Sequence, residues 1–334
     1  MLQDFRNNLR IRVPSCIFIG SNVCTMKFGK VAQPETIDFS LPPDHPDTAV
    51  TLLRHAQHSI SRKQEEKKVQ IYVGCAKWNR QDLKKFYPRG TKDELSYYAS
   101  QFNSIELNAT FYRIFPSEQY EKWRDKVPEG FKFFPKITNH ISHLKRLIDA
   151  HLFIPEYLEN TLLLGDKLGT IFLQMHNNFG PKNFDRVINF IEHWPSHVPL
   201  ALEFRHTDWF NNNQVANELY GVLEENNIAN ILVDTAGRRD IMHMRLTNNE
   251  AFVRYVGANH PSDYSRLDDW VIRLEEWIDQ GLKNIHFFIH QNLEVASPLL
   301  SAYFIEKLNT RLGIDIKIPQ STHSDNNISP NLFL

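Results

Sequence analysis

Cysteine is scarce: Cys16, Cys24 and Cys75 are the only three in 334 residues. That number excludes a disulfide-stapled secreted scaffold and fits a reducing, cytoplasmic compartment. Charge of one sign is also lacking, with 38 Lys and Arg against 39 Asp and Glu. No global attraction to nucleic acid or an anionic membrane follows from that balance, so any anion site must be local. No apolar run is long enough to span a bilayer, and no membrane partner is expected. Signature loops are absent too. There is no glycine-rich dinucleotide fingerprint, no P-loop, no HExxH zinc motif and no GxSxG nucleophile elbow. A resident cofactor is therefore not expected. A divalent metal stays open because His176, Glu203, His206, Asp208, Asp234 and His290 are suitable ligands, although their spacing forms no known signature.

What is present is a globular composition, 42% hydrophobic and 23% charged, enough to bury a large core. Short apolar runs alternate with amphipathic stretches, the pattern of βα units around a parallel sheet. Eight strands are predicted: VQIYVGC from Val69, SIELN from Ser104, FKFFPKI from Phe131, GTIFLQM from Gly169, PLALEF from Pro199, ANILVD from Ala229, AFVRYVG from Ala251 and NIHFFIH from Asn284. Several are apolar almost throughout, as expected of strands covered on both faces. Helices are predicted at about Lys92–Gln101, Ser117–Lys126, Pro155–Leu164, Asn183–His193, Asn213–Asn226, Leu267–Gln280 and Pro298–Leu312. The segment TAGRRDIMHMRLTNNE, from Thr235, carries no helical stripe. The expected fold is an α/β (β/α)8 TIM-type barrel over residues 69–313 with an N-terminal extension. Residues 1–25 are expected to be upstream of a start at Met26. Residues 26–68 form a proline-rich arm (Pro34, Pro42, Pro43, Pro46) and a helix from about Thr48 to Lys68 that ends in a solvated SRKQEEKK run. Residues 314–334 form a flexible tail.

In such a barrel, function collects at the carboxyl ends of the strands. Glu106, between Ile105 and Leu107, and Glu203, between Leu202 and Phe204, each interrupt an apolar strand. A carboxylate there must be paired or hydrogen-bonded, or its burial is costly. An internal ion pair with Lys136, Arg205 or Arg254 is one reading, and a catalytic acid–base pair at the mouth is the other. The expected substrate-binding set is Lys77, Trp78, Asn108, Tyr112, Lys136, His176, Arg205, Asp234, Arg254 and His290. The loop from Lys77 to Lys92 holds six basic residues against Asp82 alone, interleaved with Trp78, Phe86 and Tyr87. Cations reach phosphates and aromatic faces stack on bases, so nucleic-acid binding is an alternative to a small-molecule site.

The motifs GCAKW at Gly74, FYPRG at Phe86, YYASQFNSIELNATFYR at Tyr97, FKFFPKITNHISHLKRL at Phe131, LGTIFLQMHNNFGPKNF at Leu168 and LALEFRHTDWF at Leu200 together resemble the YecE-like family, a domain of unknown function. The resemblance runs from Val69 to about Leu312 and implies a TIM-barrel fold. It carries no established activity. The barrel of that family has been likened to endonuclease IV-type zinc enzymes, whose dense ligand series is not reproduced here. Two departures stand out: the first motif usually reads like GTSGW, whereas Lys77 occupies its glycine position here, and the last strand ends in Ile289-His290-Gln291-Asn292 instead of an Asn-rich segment. The leading expectation is an enzyme acting on a small anionic ligand, phosphorylated or sugar-containing, with Glu106 and Glu203 as catalytic groups. A nucleic-acid binding or processing protein and a non-catalytic scaffold are the alternatives.

Overall fold

The computed structural model describes residues 29–61 and 68–320. The expected upstream segment 1–25, most of the charged run after Ser61 and the chain beyond Gln320 lie outside the described residues. The strands are β1 Gln70–Cys75, β2 Ser104–Leu107, β3 Lys132–Pro135, β4 Ile171–Gln174, β5 Leu200–Glu203, β6 Ala229–Asn230, β7 Leu232–Thr235, β8 Glu250–Gly257 and β9 Asn284–Gln291. Each falls on a predicted run, β7, β8 and β9 overrunning theirs by one residue at Thr235, Glu250 and Gln291, and the run from Ala229 is divided at Ile231 into β6 and β7. The α-helices are α1 Pro46–Ser61, α2 Glu94–Gln101, α3 Ala109–Tyr112, α4 Ser117–Lys126, α5 Ile154–Thr161, α6 Phe184–Glu192, α7 Asn213–Glu225, α8 Ser262–Asp279 and α9 Ser297–Leu312. The single turn α3 was not foreseen, being too short for a periodic stripe. α8 begins five residues before the predicted Leu267, because Asp263 accepts from the backbone N–H groups of Ala258 and His260 and fixes the turn.

The fold is α/β, and every ladder between these strands is parallel. The ladders form a six-stranded sheet in the order β3-β2-β1-β9-β8-β7 and a three-stranded sheet in the order β4-β5-β6. Isolated parallel bridges join Phe133 to Leu168 and Lys136 to Phe172. Apolar side chains gather in two zones. Phe134, Phe172, Ala201, Val233, Phe252 and Phe288 form one cluster, with the rings of Phe134 and Phe288 4.8 Å apart. The other side chains of the strands meet the helices, for example Phe287 against Trp270 of α8 and Phe304 of α9. Burial on both faces explains the near-continuous apolar runs.

β1 and β2 meet closely at Gly74, where a Cβ would lie 2.3 Å from the Ser104 carbonyl oxygen. Gly74→Ala must push the strands apart, and overpacking of this kind costs about 1–3 kcal/mol. A urea titration should show a lower midpoint, and an unchanged midpoint would contradict this packing.

No α-helix follows β7; a 3-10 stretch, Ala236–Ile241, opens the segment that lacks a helical stripe. The N-terminal extension covers that flank instead. The Gly29 carbonyl accepts from the Gly237 N–H at 3.0 Å, and Lys30 reaches the Asn292 carbonyl oxygen at 3.1 Å. Arg239 donates to the Ser40 carbonyl, and Trp277 Nε1 donates to Asp44 at 2.8 Å. α1 then seats Leu52 in the core cluster that holds Trp270, Leu274 and Trp277 of α8. Arg245 ties this helix to α7 through Thr51 and Glu224. At the other end, the expected tail begins with a tethered stretch: Lys317 donates to the Ser100 carbonyl and Asn309 bonds the backbone of Ile316 on both its polar atoms.

Candidate functional site

Side chains alternate faces along a strand, so a residue two places beyond an inward-facing one also points inward, one layer higher. Phe134, Phe172, Ala201, Phe252 and Phe288 therefore predict Lys136, Gln174, Glu203, Arg254 and His290 as the next layer toward the carboxyl ends. The hydrogen bonds bear this out. Arg254 sits at the centre: its Nε donates to Glu106 Oε2 at 2.9 Å, its Nη2 to Glu106 Oε1 at 2.8 Å and its Nη1 to Glu203 Oε2 at 2.5 Å. This is a bidentate fork on one carboxylate with a third arm on another. Arg205 Nε donates to the remaining oxygen of Glu203. Asn108 Nδ2 donates to Glu106 Oε1 at 2.7 Å, and His290 Nε2 lies 3.1 Å from Glu106 Oε2.

Both glutamates are wholly buried. Burial alone would raise the Glu203 carboxyl, but Arg205, Arg254 and Lys136 outweigh it and hold the group at about 2. For Glu106 burial is likewise outweighed, by Arg254 and then His290, and the carboxyl stays well below its ordinary range. Arg254 is pushed in the opposite direction: the two carboxylates overcome burial and hold its guanidinium charged. Two carboxylates and a guanidinium thus form a locked, ionised unit at neutral pH.

Lys136 differs from its neighbours. Its Nζ donates to the Gln174 side-chain oxygen at 2.8 Å and stands 4.1 Å from the Phe111 ring centroid. Gln174 also accepts from Arg254 at 3.3 Å. Among the described residues Lys136 makes no ion pair, because the nearby carboxylates are engaged by arginines. Burial, with positive charge from Arg254 and Arg205, brings the amine down to about 7.

Above this layer the rim is built from the β3 loop, where His140–Leu144 form one π-helical turn. His143 packs edge-on against Phe111 at 5.0 Å and against His176 at 5.3 Å, and burial together with the charge on Lys136 lowers it to about 4. Arg146, Leu147 and Asp149 follow with positive φ values of 50–63°. Such backbone costs on the order of 1–3 kcal/mol per residue and concentrates at binding loops.

Of the sequence-predicted residues, the structure brings together Glu106, Glu203, Asn108, Lys136, Arg205, Arg254 and His290, with His176 on the rim. Tyr112 is 73% exposed, at the end of α3. Lys77 instead pairs with Asp82 at 3.2 Å, and Trp78 packs edge-on against Trp123. Asp234 belongs elsewhere: it is one residue out of phase with the inward Val233, so it faces α8, where Arg266 and Trp270 donate to it at 2.7 and 2.8 Å. Of the aromatic faces expected of the Lys77–Lys92 loop, Phe86 and Tyr87 are buried, with Tyr87 donating to the Trp78 carbonyl, and Trp78 is half-buried. Gln174, His143 and Phe111 are functional candidates that the predicted set lacks. Strand phase finds Gln174, whereas the other two follow only from how the loops after β2 and β3 meet. Among the described residues no group of three His, Cys, Asp or Glu side chains is placed to hold a metal ion.

The family model described as "Protein of unknown function DUF72" matches residues 72–323. The chain belongs to the DUF72 family. Its relatives include the UPF0759 protein YecE of Escherichia coli (strain K12), 25% identical over 277 residues that cover 75% of this chain and 98% of that protein. The UPF0759 protein YunF of Bacillus subtilis (strain 168) is 30% identical over 154 residues, 42% of this chain and 52% of its own. These matches establish the YecE-like resemblance read from the motifs. Two crystal structures of DUF72 family proteins share the fold. That from Enterococcus faecalis V583 superposes with a TM-score of 0.59 at 19% identity, over 74% of this chain and 99% of that one. That from Thermotoga maritima MSB8 gives 0.58 at 22%, over 72% and 99%. No described helix of this DUF72 chain is long and apolar enough to cross a membrane.

Proposed function

We propose that this DUF72 chain is an enzyme that binds a small anionic substrate, a phosphorylated or carboxylated metabolite, at the carboxyl ends of its parallel strands. The strands read as one closed (β/α)8-type barrel. The β3–β4 bridges join the two sheets on one side, and Ile231, the single residue between β6 and β7, joins them on the other. Function in a barrel of that kind gathers at this end.

The observation that carries the reading is Lys136. When protonated it is a buried cation with a neutral amide as its polar partner, in a layer where three basic side chains face two carboxylates. An anion supplies the missing counter-charge, and the imidazoles of His143 and His176 line its approach. In this reading Glu106 and Glu203 hold Arg254 and Arg205 in place. Being ionised throughout the neutral range, they do not serve as proton donors, and the group that titrates near neutrality is Lys136. A cytoplasmic setting suits Cys75, which is buried as a free thiol.

The test is ligand-dependent melting. A ligand at a hundred times its dissociation constant stabilises the fold by about 2.7 kcal/mol. Inorganic phosphate at constant ionic strength should raise the melting temperature at pH 6.5, where Lys136 is protonated. The effect should fade by pH 8.5 and be lost in Lys136→Met. Equal shifts in wild type and variant would remove Lys136 from the site.

A further inference from the structure

An ammonium has three hydrogens to donate, and Lys136 Nζ has one hydrogen-bonded acceptor among the described residues, the amide oxygen of Gln174. Phe111 covers the nitrogen on one side, with the Phe172 ring 6.0 Å away. Lys136 is only 7% exposed, so water cannot easily solvate a charge there. Arg254 and Arg205 have taken the carboxylates that would otherwise hold it as an ammonium. These features favour the neutral amine, and burial and the neighbouring guanidinium groups bring it to about 7. A neutral amine that donates one hydrogen to Gln174 keeps its lone pair for an electrophile. Lys77 and Lys126, by contrast, face carboxylates at 3.2 and 2.5 Å in exposed positions.

We propose that Lys136 is a nucleophile that forms a Schiff base with an aldehyde, ketone or 2-oxo acid bearing an anionic group. The nitrogen lone pair adds to the carbonyl carbon, the C=O π pair moves to oxygen, and a proton passes from nitrogen to that oxygen, giving a carbinolamine. Loss of the hydroxyl with the second nitrogen proton releases one water and leaves the C=N bond. No oxidant or reductant takes part. The anionic group lies among the cations of the mouth, so the proposal rests on the anion-site reading. His143, packed on the same Phe111 ring, presents a neutral imidazole for the proton transfers.

Trapping tests it on the full chain. Pyruvate and dihydroxyacetone phosphate serve as probes with sodium cyanoborohydride at pH 7, followed by intact-mass measurement and peptide mapping. Reduction fixes the imine as a secondary amine. Expected is one adduct, on the peptide containing Lys136, formed about a hundredfold faster than on the exposed Lys84, because burial and the neighbouring guanidinium groups bring the Lys136 amine to about 7. Lys136→Arg should lose that adduct, and inorganic phosphate should slow its formation. Wild-type mapping is decisive even if the variant folds poorly, since Lys84 in the same molecule is the internal reference. Adducts spread over exposed lysines with Lys136 unmodified would overturn the proposal. If phosphate still raises the melting temperature in that case, the anion-site reading stands alone. A Lys136 adduct that phosphate neither slows nor competes with, in a protein phosphate does not stabilise, would instead uphold the imine and remove the anion site.

Discussion

Replacing Arg254 with methionine should lower the melting temperature by roughly 5–15 °C, because it leaves two buried carboxylates without their shared cation. Breaking a buried pair by removing one partner costs about 3–5 kcal/mol, and a chain of this length loses a few degrees per kcal/mol. Arg254 holds three of the four oxygens of Glu106 and Glu203, and both glutamates are fully buried, so no solvent is at hand to replace the guanidinium. Methionine fills a similar volume, which isolates the electrostatic loss from a cavity. The triple variant with Glu106→Gln and Glu203→Gln should recover most of the loss.

The pH dependence has a definite sign. Glu203 and Glu106 are depressed in the folded protein, so the stability they contribute is present above about 4.5, the ordinary carboxyl value, and is lost as pH falls below it, toward about 2 for Glu203. Without Arg254 the carboxyls rise and accept protons in the folded state. The gap between wild type and Arg254→Met should therefore be widest at neutral pH and narrow on acidification. Thermal melts followed by circular dichroism from pH 4 to pH 8 measure it. A variant that melts within a degree of wild type at pH 7 would show that the arginine does not bridge the two glutamates.

The second large effect runs the other way. Lys136→Met should stabilise the protein at pH 6 by a few kcal/mol, an increase of several degrees in melting temperature. Lowering the amine from its ordinary 10.5 to about 7 means that the fold carries the protonated form at a cost of ~5 kcal/mol as an order of magnitude. Below pH 7 both folded and unfolded chains bind that proton, and wild type bears the full cost. Between 7 and about 10.5 the unfolded chain binds more protons than the folded one, so wild-type stability rises with pH. The advantage of methionine is then full below pH 7 and shrinks across that window. Gln174 keeps its bond from Arg254, so the variant leaves no orphaned amide oxygen. If the gain is the same at pH 6 and pH 9, titration of Lys136 is not its source. A residue that costs stability and gains function when bound to an anion is the usual signature of a site, and the same variant should lose phosphate stabilisation.

Much of this was legible in the residue order. Apolar runs placed the strands, because strands buried on both faces need apolar side chains at nearly every position. Once the structure shows Phe134, Phe172, Ala201, Phe252 and Phe288 pointing inward, two-residue alternation places Lys136, Gln174, Glu203, Arg254 and His290 in one layer. Asp234 was grouped with them because it also ends an apolar run. Counting its phase against Val233 puts it on the outer face with Arg266.

Other features have no local trace. The lack of an α-helix after β7 could be read from TAGRRDIMHMRLTNNE, but not that the arm from Gly29 and the helix Pro46–Ser61 fill its place, because nothing in either segment names the other. Phe111 beneath the Lys136 amine and His143 beside it come from two loops that meet only when β2 and β3 pair.

By itself, the sequence determined the α/β alternation, the strand positions and the identity of the polar groups at the strand ends, since these follow from side-chain volume, polarity and a two-residue period. Only the tertiary structure decided their charge states. Glu106 and Glu203 became a locked ionised pair and Lys136 a near-neutral amine because the field at each group is set by which arginine stands within hydrogen-bond distance, and those arginines arrive from strands far away in the chain.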